Sequence, residues 1–356
     1  MKLRKIKDLV IYQDGQYNTF PNAVSLSDGT LMVGFRQGRD LQRLIGKTMH
    51  IDPASKAVHV RSSDGGTSWE TTAALLHDDF LYGIQDPCLN VLKEGTLFAT
   101  FFTWKVMAKE DGGSIGPADH VMEDQWVGRL EGLYSIRSAD NGASWDAPVR
   151  ITAGAAAVRG NAAELGDGSL VLATYGGNEF GDKMTIVRTT ERGLTWTLSA
   201  VLEHEDYKLQ EPNLYLAPSG KLVAFIRTAP KRKGGSAETA CPLLTAESVD
   251  GGKSWSGLTE RPFYSPSPFH ALRLRSGRVL VSYGYRLEPY GVRAFLLDAE
   301  CGFEDVEETI LREDGLGTDI GYTSAVQLPD DSILVTYYYY GESGYRYIAG
   351  TICREE

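Results

Sequence analysis

Six positions scattered along the chain carry residues that a buried strand would not ordinarily choose. They are Thr19 or Asn22, Asp86, Arg159 or Asn161, Glu211, His270 and Tyr322. Each heads a short apolar segment, where valine or leucine would be expected. Two carboxylates, an arginine, a histidine and a tyrosine gathered in one place would make a polar ligand site. The alternative is a water-filled channel lined by polar groups that satisfy one another.

What could gather them is a repeated hairpin. It reads FPNAVSLSDGTLMVGFR from Phe20, DPCLNVLKEGTLFATFF from Asp86 and GNAAELGDGSLVLATYG from Gly160. It returns as EPNLYLAPSGKLVAFIR from Glu211, FHALRLRSGRVLVSYGY from Phe269 and YTSAVQLPDDSILVTYYYY from Tyr322. Each is strand, tight turn, strand. A second repeat interlocks with it, Ser/Thr-x-Asp/Glu-x-Gly-x-x-Trp, ending at Trp69, Trp145, Trp196 and Trp255. Its hydroxyl and carboxylate can bond turn backbone, its glycine takes positive φ, and its tryptophan pins the turn to a core. A degenerate copy, Asp298 to Gly302, lacks the tryptophan. A third strand leads into each turn and a fourth follows it. The chain is therefore expected to be all-β, one domain over 1–356, a propeller of six four-stranded antiparallel blades. The last blade has no room for a fourth strand, and the N-terminal Leu9–Gln13 is expected to supply it. No helix is expected.

In a propeller the innermost strands start near the central axis, so the six polar positions converge on one mouth. The 356 residues carry a net charge of −11, with 42% hydrophobic and 23% charged residues. That balance argues against nucleic-acid partners and anionic membrane surfaces. No run of 18 apolar residues suggests a membrane span, and no apolar leader is seen, which suits a cytoplasmic protein. Cys88, Cys241, Cys301 and Cys353 lack CxxC spacing and read as reduced thiols. His50, His59, His77, His120 and His204 show no metal spacing, so no metal and no cofactor are expected. The basic Lys231-Arg232-Lys233-Gly234-Gly235 reads as a solvated loop.

These features resemble the sialidase (neuraminidase) superfamily, whose Asp-box (BNR repeat) matches the repeated Ser-x-Asp-x-Gly-x-x-Trp turn. The resemblance implies an exo-glycoside hydrolase acting on a glycan or small glycoside. Tyr322 stands where the family keeps its nucleophile, Glu211 in Glu211-Pro212 where it keeps the base, and Asp52 where it keeps the acid/base aspartate. Arg227 and Arg293 are similar to two arginines of the family's carboxylate clamp, and Arg39 in GFRQGRD to a further active-site arginine. Arg36, Asp86, Arg159, Asn161, His270 and Arg286 complete the expected substrate-binding set. A carboxylate within reach can take the proton of a tyrosine, whose reference pKa is about 10. Such an enzyme would retain configuration.

Two departures stand out. Thr19-Phe20-Pro21 replaces the family's Arg-Ile-Pro, which removes one clamp arginine and argues against strict sialic-acid specificity. His270 has no counterpart in the template. Paired with Tyr322 it would suit a lyase acting beside a uronate carboxylate, and a carbohydrate-binding propeller without turnover is the third reading. The insert from Met107 to Trp126 is expected to be a long loop over one face, with Trp104 and Trp126 lining a sugar subsite. Tyr337 to Tyr340 could stack on a sugar or pack between blades.

Overall fold

The computed structural model describes every residue except 1, 48, 117, 118, 233–238 and 343. Lys233, Gly234 and Gly235 of the basic loop thus lie outside the described residues. Six sheets form, each antiparallel and entered from its innermost strand. The innermost strands are Tyr17–Ser25, Gly83–Val91, Ala163–Glu164, Tyr207–Leu216, Phe269–Arg273 and Gly321–Gln327. The sixth sheet closes when the N-terminal strand Leu3–Tyr12 pairs with Arg346–Glu355 at its outer edge.

The strands read as continuous apolar runs because both faces are covered by neighbouring blades. Val33, Phe35 and Val60 of blade one share a core with Leu334, Tyr338 and Ile348 of blade six. Equivalent cores lie between every other pair of neighbours, so the ring is cemented all the way round. Tyr337, Tyr338 and Tyr339 are fully buried in these seams.

The repeated turns join third to fourth strands. In the first, Ser62 Oγ donates to Asp64 Oδ1 at 2.8 Å and accepts from Gly66 N at 2.9 Å. Ser68 donates from N and Oγ to Asp64 at 2.9 and 2.6 Å. These donors hold the Asp64 carboxyl down at about 2. Each turn also leans on the preceding blade. At Gly142, with φ +81°, a Cβ would lie 2.9 Å from Met32 Cε of blade one.

Two short helices, Leu41–Ile45 and Gly177–Phe180, punctuate loops expected to be irregular. The insert is more ordered than a loop. Strand Leu97–Ala108 runs far beyond its blade and pairs with Trp126–Ser138, and His120–Met122 adds a further edge. No described helix is long and apolar enough to cross a membrane.

Candidate active site

The innermost strands do more than converge. In blades one, two, four and six the ladder breaks at the same place, between Thr19/Asn22, Gln85/Cys88, Gln210/Asn213 and Gly321/Ser324. At each break one residue adopts a left-handed backbone: Phe20 (φ 57°), Asp86 (φ 47°), Glu211 (φ 43°) and Tyr322 (φ 54°). Three of the four precede a proline, which has no N–H to give the ladder. A non-glycine residue held there costs on the order of 1–3 kcal/mol, and such strain gathers at functional sites. Its effect is to turn one side chain per strand out of the blade, a bulge that re-aims it.

The axial position of blade one is therefore Phe20, not Thr19 or Asn22. Its ring packs on Tyr322, centroids 4.6 Å apart. Tyr322 Oη donates to Glu211 Oε1 in a very short hydrogen bond. Arg227 Nη1 donates to Glu211 Oε2 at 2.5 Å and to Tyr322 Oη at 3.2 Å, so the three side chains form a closed triangle. Burial pulls the Glu211 carboxyl up, but the Arg227 charge and the bonds from Tyr322 and Arg227 outweigh it and hold Glu211 below its ordinary value. Burial and the Glu211 charge push the Tyr322 phenol well above 10, against Arg227 and Arg286. At neutral pH the pair is a carboxylate facing a neutral phenol.

The triangle forms one wall of a cavity of about 710 Å³. Asp86, Arg286, Lys208 and Asp182 add charged groups to its lining, and Phe102, Trp104, Met122 and Leu130 add an apolar part. Trp104 meets His120 edge to face at 5.3 Å, so the insert forms part of the wall. Trp126, by contrast, is 46% exposed and outside the cavity. Burial raises the Asp86 carboxyl to about 8, with Glu211 adding to the rise and Arg159, Arg36 and Arg227 opposing it.

The family model for the BNR repeat-like domain matches residues 120–297. The chain belongs to that family. A crystal structure of a protein of unknown function from Dyadobacter fermentans is 32% identical over 99% of both chains, with a TM-score of 0.87. The NanB sialidase of Streptococcus pneumoniae superposes at a TM-score of 0.69 with 14% identity, covering 98% of this chain and 70% of that one. A Trypanosoma rangeli sialidase in complex with sialic acid gives 0.66 and 14%, covering 98% and 57%. These two likenesses establish a shared fold. No curated protein sequence matches the chain.

Within this BNR-repeat propeller several expected site residues face away from the cavity. Asp52 is 1% exposed, and both its oxygens are filled. It accepts from Arg39 N at 2.8 Å, Arg39 Nη2 at 2.6 Å and Ala54 N at 2.9 Å. Burial raises the Asp52 carboxyl, but these donors win and lower it. Arg39 and Asp52 thus fasten the loop that places Met49, His50 and Ile51 on the cavity wall. Arg293 is likewise off the cavity: it binds Glu308 at 2.6 Å and covers the Tyr285 ring at 3.3 Å.

Arg159 crosses the axis and donates to the carbonyls of Phe20, Pro21 and Tyr322 at 3.3, 2.8 and 2.8 Å. It ties blade three to blades one and six rather than reaching a ligand. Asn161 and His270 sit two residues further down their strands, in a layer that stitches the ring. There Asn22 Nδ2 donates to Asn161 Oδ1 at 3.2 Å, Asn161 Nδ2 to Leu89 O at 2.6 Å, and Asn213 Oδ1 accepts from Ala271 N at 3.1 Å. His270 occupies the same layer and does not line the cavity. Burial and then Arg159 push its imidazole down to about 3. Its pairing with Tyr322 as lyase machinery is not what the geometry provides.

Arg36 is fully buried, and its guanidinium nitrogens find no hydrogen-bond partner among the described residues. It folds back over Gly38, where a Cβ would meet Nη1 at 2.9 Å.

Asp319 carried no signal in the sequence, yet it anchors groups that did. Asp319 accepts from Tyr17 Oη at 2.6 Å, Tyr338 Oη at 2.8 Å and Arg346 at 2.9 Å, and pairs with His50 at 3.0 Å. Tyr338 Oη in turn accepts from Arg286 Nη2 at 2.7 Å. Arg286 also donates to Ile320 O at 2.9 Å and Pro266 O at 3.3 Å, which fixes its plane 5.0 Å from the Tyr322 ring.

Proposed function

We propose that this propeller is a sialidase-like exo-glycoside hydrolase that removes a terminal sugar from a glycan or small glycoside, with Tyr322 as nucleophile and Glu211 as its base. The observation that carries the reading is the Tyr322–Glu211–Arg227 triangle at the wall of a concave, half-apolar cavity. A phenol held well above its ordinary pKa is inert until its proton can leave, and Glu211 accepts that proton as attack begins. Arg227 stabilises the carboxylate before transfer and the phenolate character that develops during it. The apolar wall with Trp104 offers a face for a sugar ring.

Of the two arginines expected to clamp an anionic sugar, Arg227 lines the cavity and Arg293 does not; Arg286, expected in the wider substrate-binding set, lines it too. Arg227 spends Nη1 on Glu211 and Tyr322, and Arg286 spends three nitrogens on protein oxygens. That distribution favours a sugar that does not depend on a three-arginine carboxylate clamp.

The test is release of chromophore from a panel of chromogenic α-glycosides, a sialoside included, by the protein and by Tyr322→Phe. Release abolished in the folded variant supports the reading and identifies the sugar. No release from any member, with ligand binding unchanged by the substitution, would make the protein a binding propeller.

A further inference from the structure

A retaining glycosidase needs a second group, one that protonates the departing oxygen and later takes a proton from water. We propose that Asp86 is that group. The inference rests on the glycosidase reading above, and it starts from placement. Blades one, two, four and six carry the same bulge, and three of the four turn Asp86, Glu211 and Tyr322 into one cavity. Blade one presents Phe20 there, and blades three and five put Arg159 and Pro268 at the corresponding positions. Asp86 is thus aimed by the same backbone device as Glu211 and Tyr322.

The surroundings of Asp86 suit an acid. Its carboxyl is 2% exposed, and Oδ1 finds no hydrogen-bond partner among the described residues. Glu211, the negative neighbour, is already ionised by Arg227. Two buried carboxylates close enough to feel each other's charge do not ionise together easily, and the proton goes to the one with fewer donors. The groups whose charge reaches Asp86 are Arg36 from blade one, Arg159 from blade three, and Glu211 and Arg227 from blade four. Tyr175 and Tyr322 feel Asp86 in return. Arg159 directs its donors to Phe20, Pro21 and Tyr322 carbonyls, and Arg227 to Glu211 and Tyr322. Asp52, the other acidic candidate, has both oxygens filled by Arg39 and Ala54.

The steps balance. Tyr322 Oη bonds the anomeric carbon as the exocyclic C–O bond breaks. Its proton passes to Glu211, and the Asp86 carboxyl proton goes to the aglycone oxygen. Water then attacks the anomeric carbon and gives its proton to the Asp86 carboxylate. The C–O bond to Tyr322 breaks, and Glu211 returns the proton to the phenol.

The experiment compares Asp86→Asn with Asp52→Asn on glycosides of one sugar bearing a nitrophenyl or an alkyl aglycone. The nitrophenyl group leaves without help, and the alkoxide does not. Asp86→Asn is expected to lose about 10²–10⁴-fold in kcat/KM on the alkyl glycoside and far less on the nitrophenyl one. Asp52→Asn is expected to affect both alike. The reverse pattern would overturn the assignment. Infrared spectra of the protein at pH 7 give a readout that needs no substrate: a protonated-carboxyl C=O band, lost in Asp86→Asn. Absence of that band would also overturn it. Turnover that depends on Tyr322 but not on Asp86 sinks this inference alone, whereas no turnover of any glycoside sinks the glycosidase reading with it.

Discussion

The neutral state of Asp86 has a consequence for stability that can be worked from its surroundings. Its carboxyl sits at about 8 in the folded protein, against about 3.9 in an unfolded chain. Between these values the unfolded state has released the proton and the folded state keeps it. Stability therefore declines as pH rises, by about 1.36 kcal/mol per unit. The contribution is intact below about pH 4, falls across the window from 4 to 8, and is flat above it. From pH 4 to pH 7 the accumulated loss has a ceiling of about 4 kcal/mol. Asn at position 86 keeps the shape and cannot ionise, so Asp86→Asn should be increasingly more stable than the parent over that window. Urea unfolding of both proteins at pH 4, 5, 6, 7 and 8 measures the difference directly, because the other titrating groups largely cancel. A gap that widens with pH supports the reasoning. A gap that stays flat across the series would mean that Asp86 ionises like an ordinary carboxylate, and both the stability argument and the acid role would fall.

Three further outcomes follow from the same structure. Arg36→Met replaces a fully buried cation that has no hydrogen-bond partner among the described residues. It should raise stability by about 1–4 kcal/mol in urea unfolding, since apolar replacements of poorly compensated buried charges often do. A net loss would reveal that the charge is compensated. Gly142→Ala forces a Cβ toward Met32 Cε at a φ of +81°. It should cost about 1–3 kcal/mol in thermal unfolding while kcat/KM stays unchanged, because the turn lies outside the cavity. Trp104→Ala removes an aromatic face from the cavity and should raise KM about 2- to 10-fold with little change in kcat. Equal losses in both would instead place Trp104 in the chemistry.

The ring was legible because two periodic signals agreed. Alternating apolar hairpins fixed the number of blades, and Ser62, Asp64 and Gly66 with their copies fixed where third strands turn into fourth. The missing outer strand of blade six and its replacement from the N-terminus follow from the same count, and the pairing of Leu9 with Gly350 bears that out. The ordered insert was not legible, because Leu97–Ala108 continues past its blade only through long-range pairing with Trp126–Ser138. Nor was the left-handed conformation at Phe20, which moved the axial position one residue along and brought an aromatic ring where a hydroxyl or amide was expected. Asp86-Pro87 and Glu211-Pro212 carried the clue to that bulge. Phe20-Pro21 carried it too, but a phenylalanine draws no attention as a site residue.

The arginines show where residue type stops being informative. Arg36, Arg39, Arg159, Arg227 and Arg286 lie on or next to the first two strands of their blades, Arg293 lies on a third strand, and a long cation in such a ring reads as a ligand clamp. What separates them is which oxygens the fold offers within reach. Arg159 meets three carbonyls freed by the bulges at Phe20 and Tyr322, so it serves the same ladder breaks that turn out the site residues. Arg39 meets Asp52 and Arg293 meets Glu308, and neither lines the cavity. Arg286 lines the cavity, but Tyr338, Ile320 and Pro266 hold it against the Tyr322 ring. Among them Arg227 alone donates hydrogen bonds to the Glu211 and Tyr322 side chains. On the reading proposed above, a scaffold that keeps this triangle while turning its other arginines to protein oxygens would keep the proton chemistry with a weaker grip on an anion. Specificity in this propeller should therefore come from the apolar wall of Phe102, Trp104 and Met122, and substitutions there should change which sugar is bound before they change how it is cleaved.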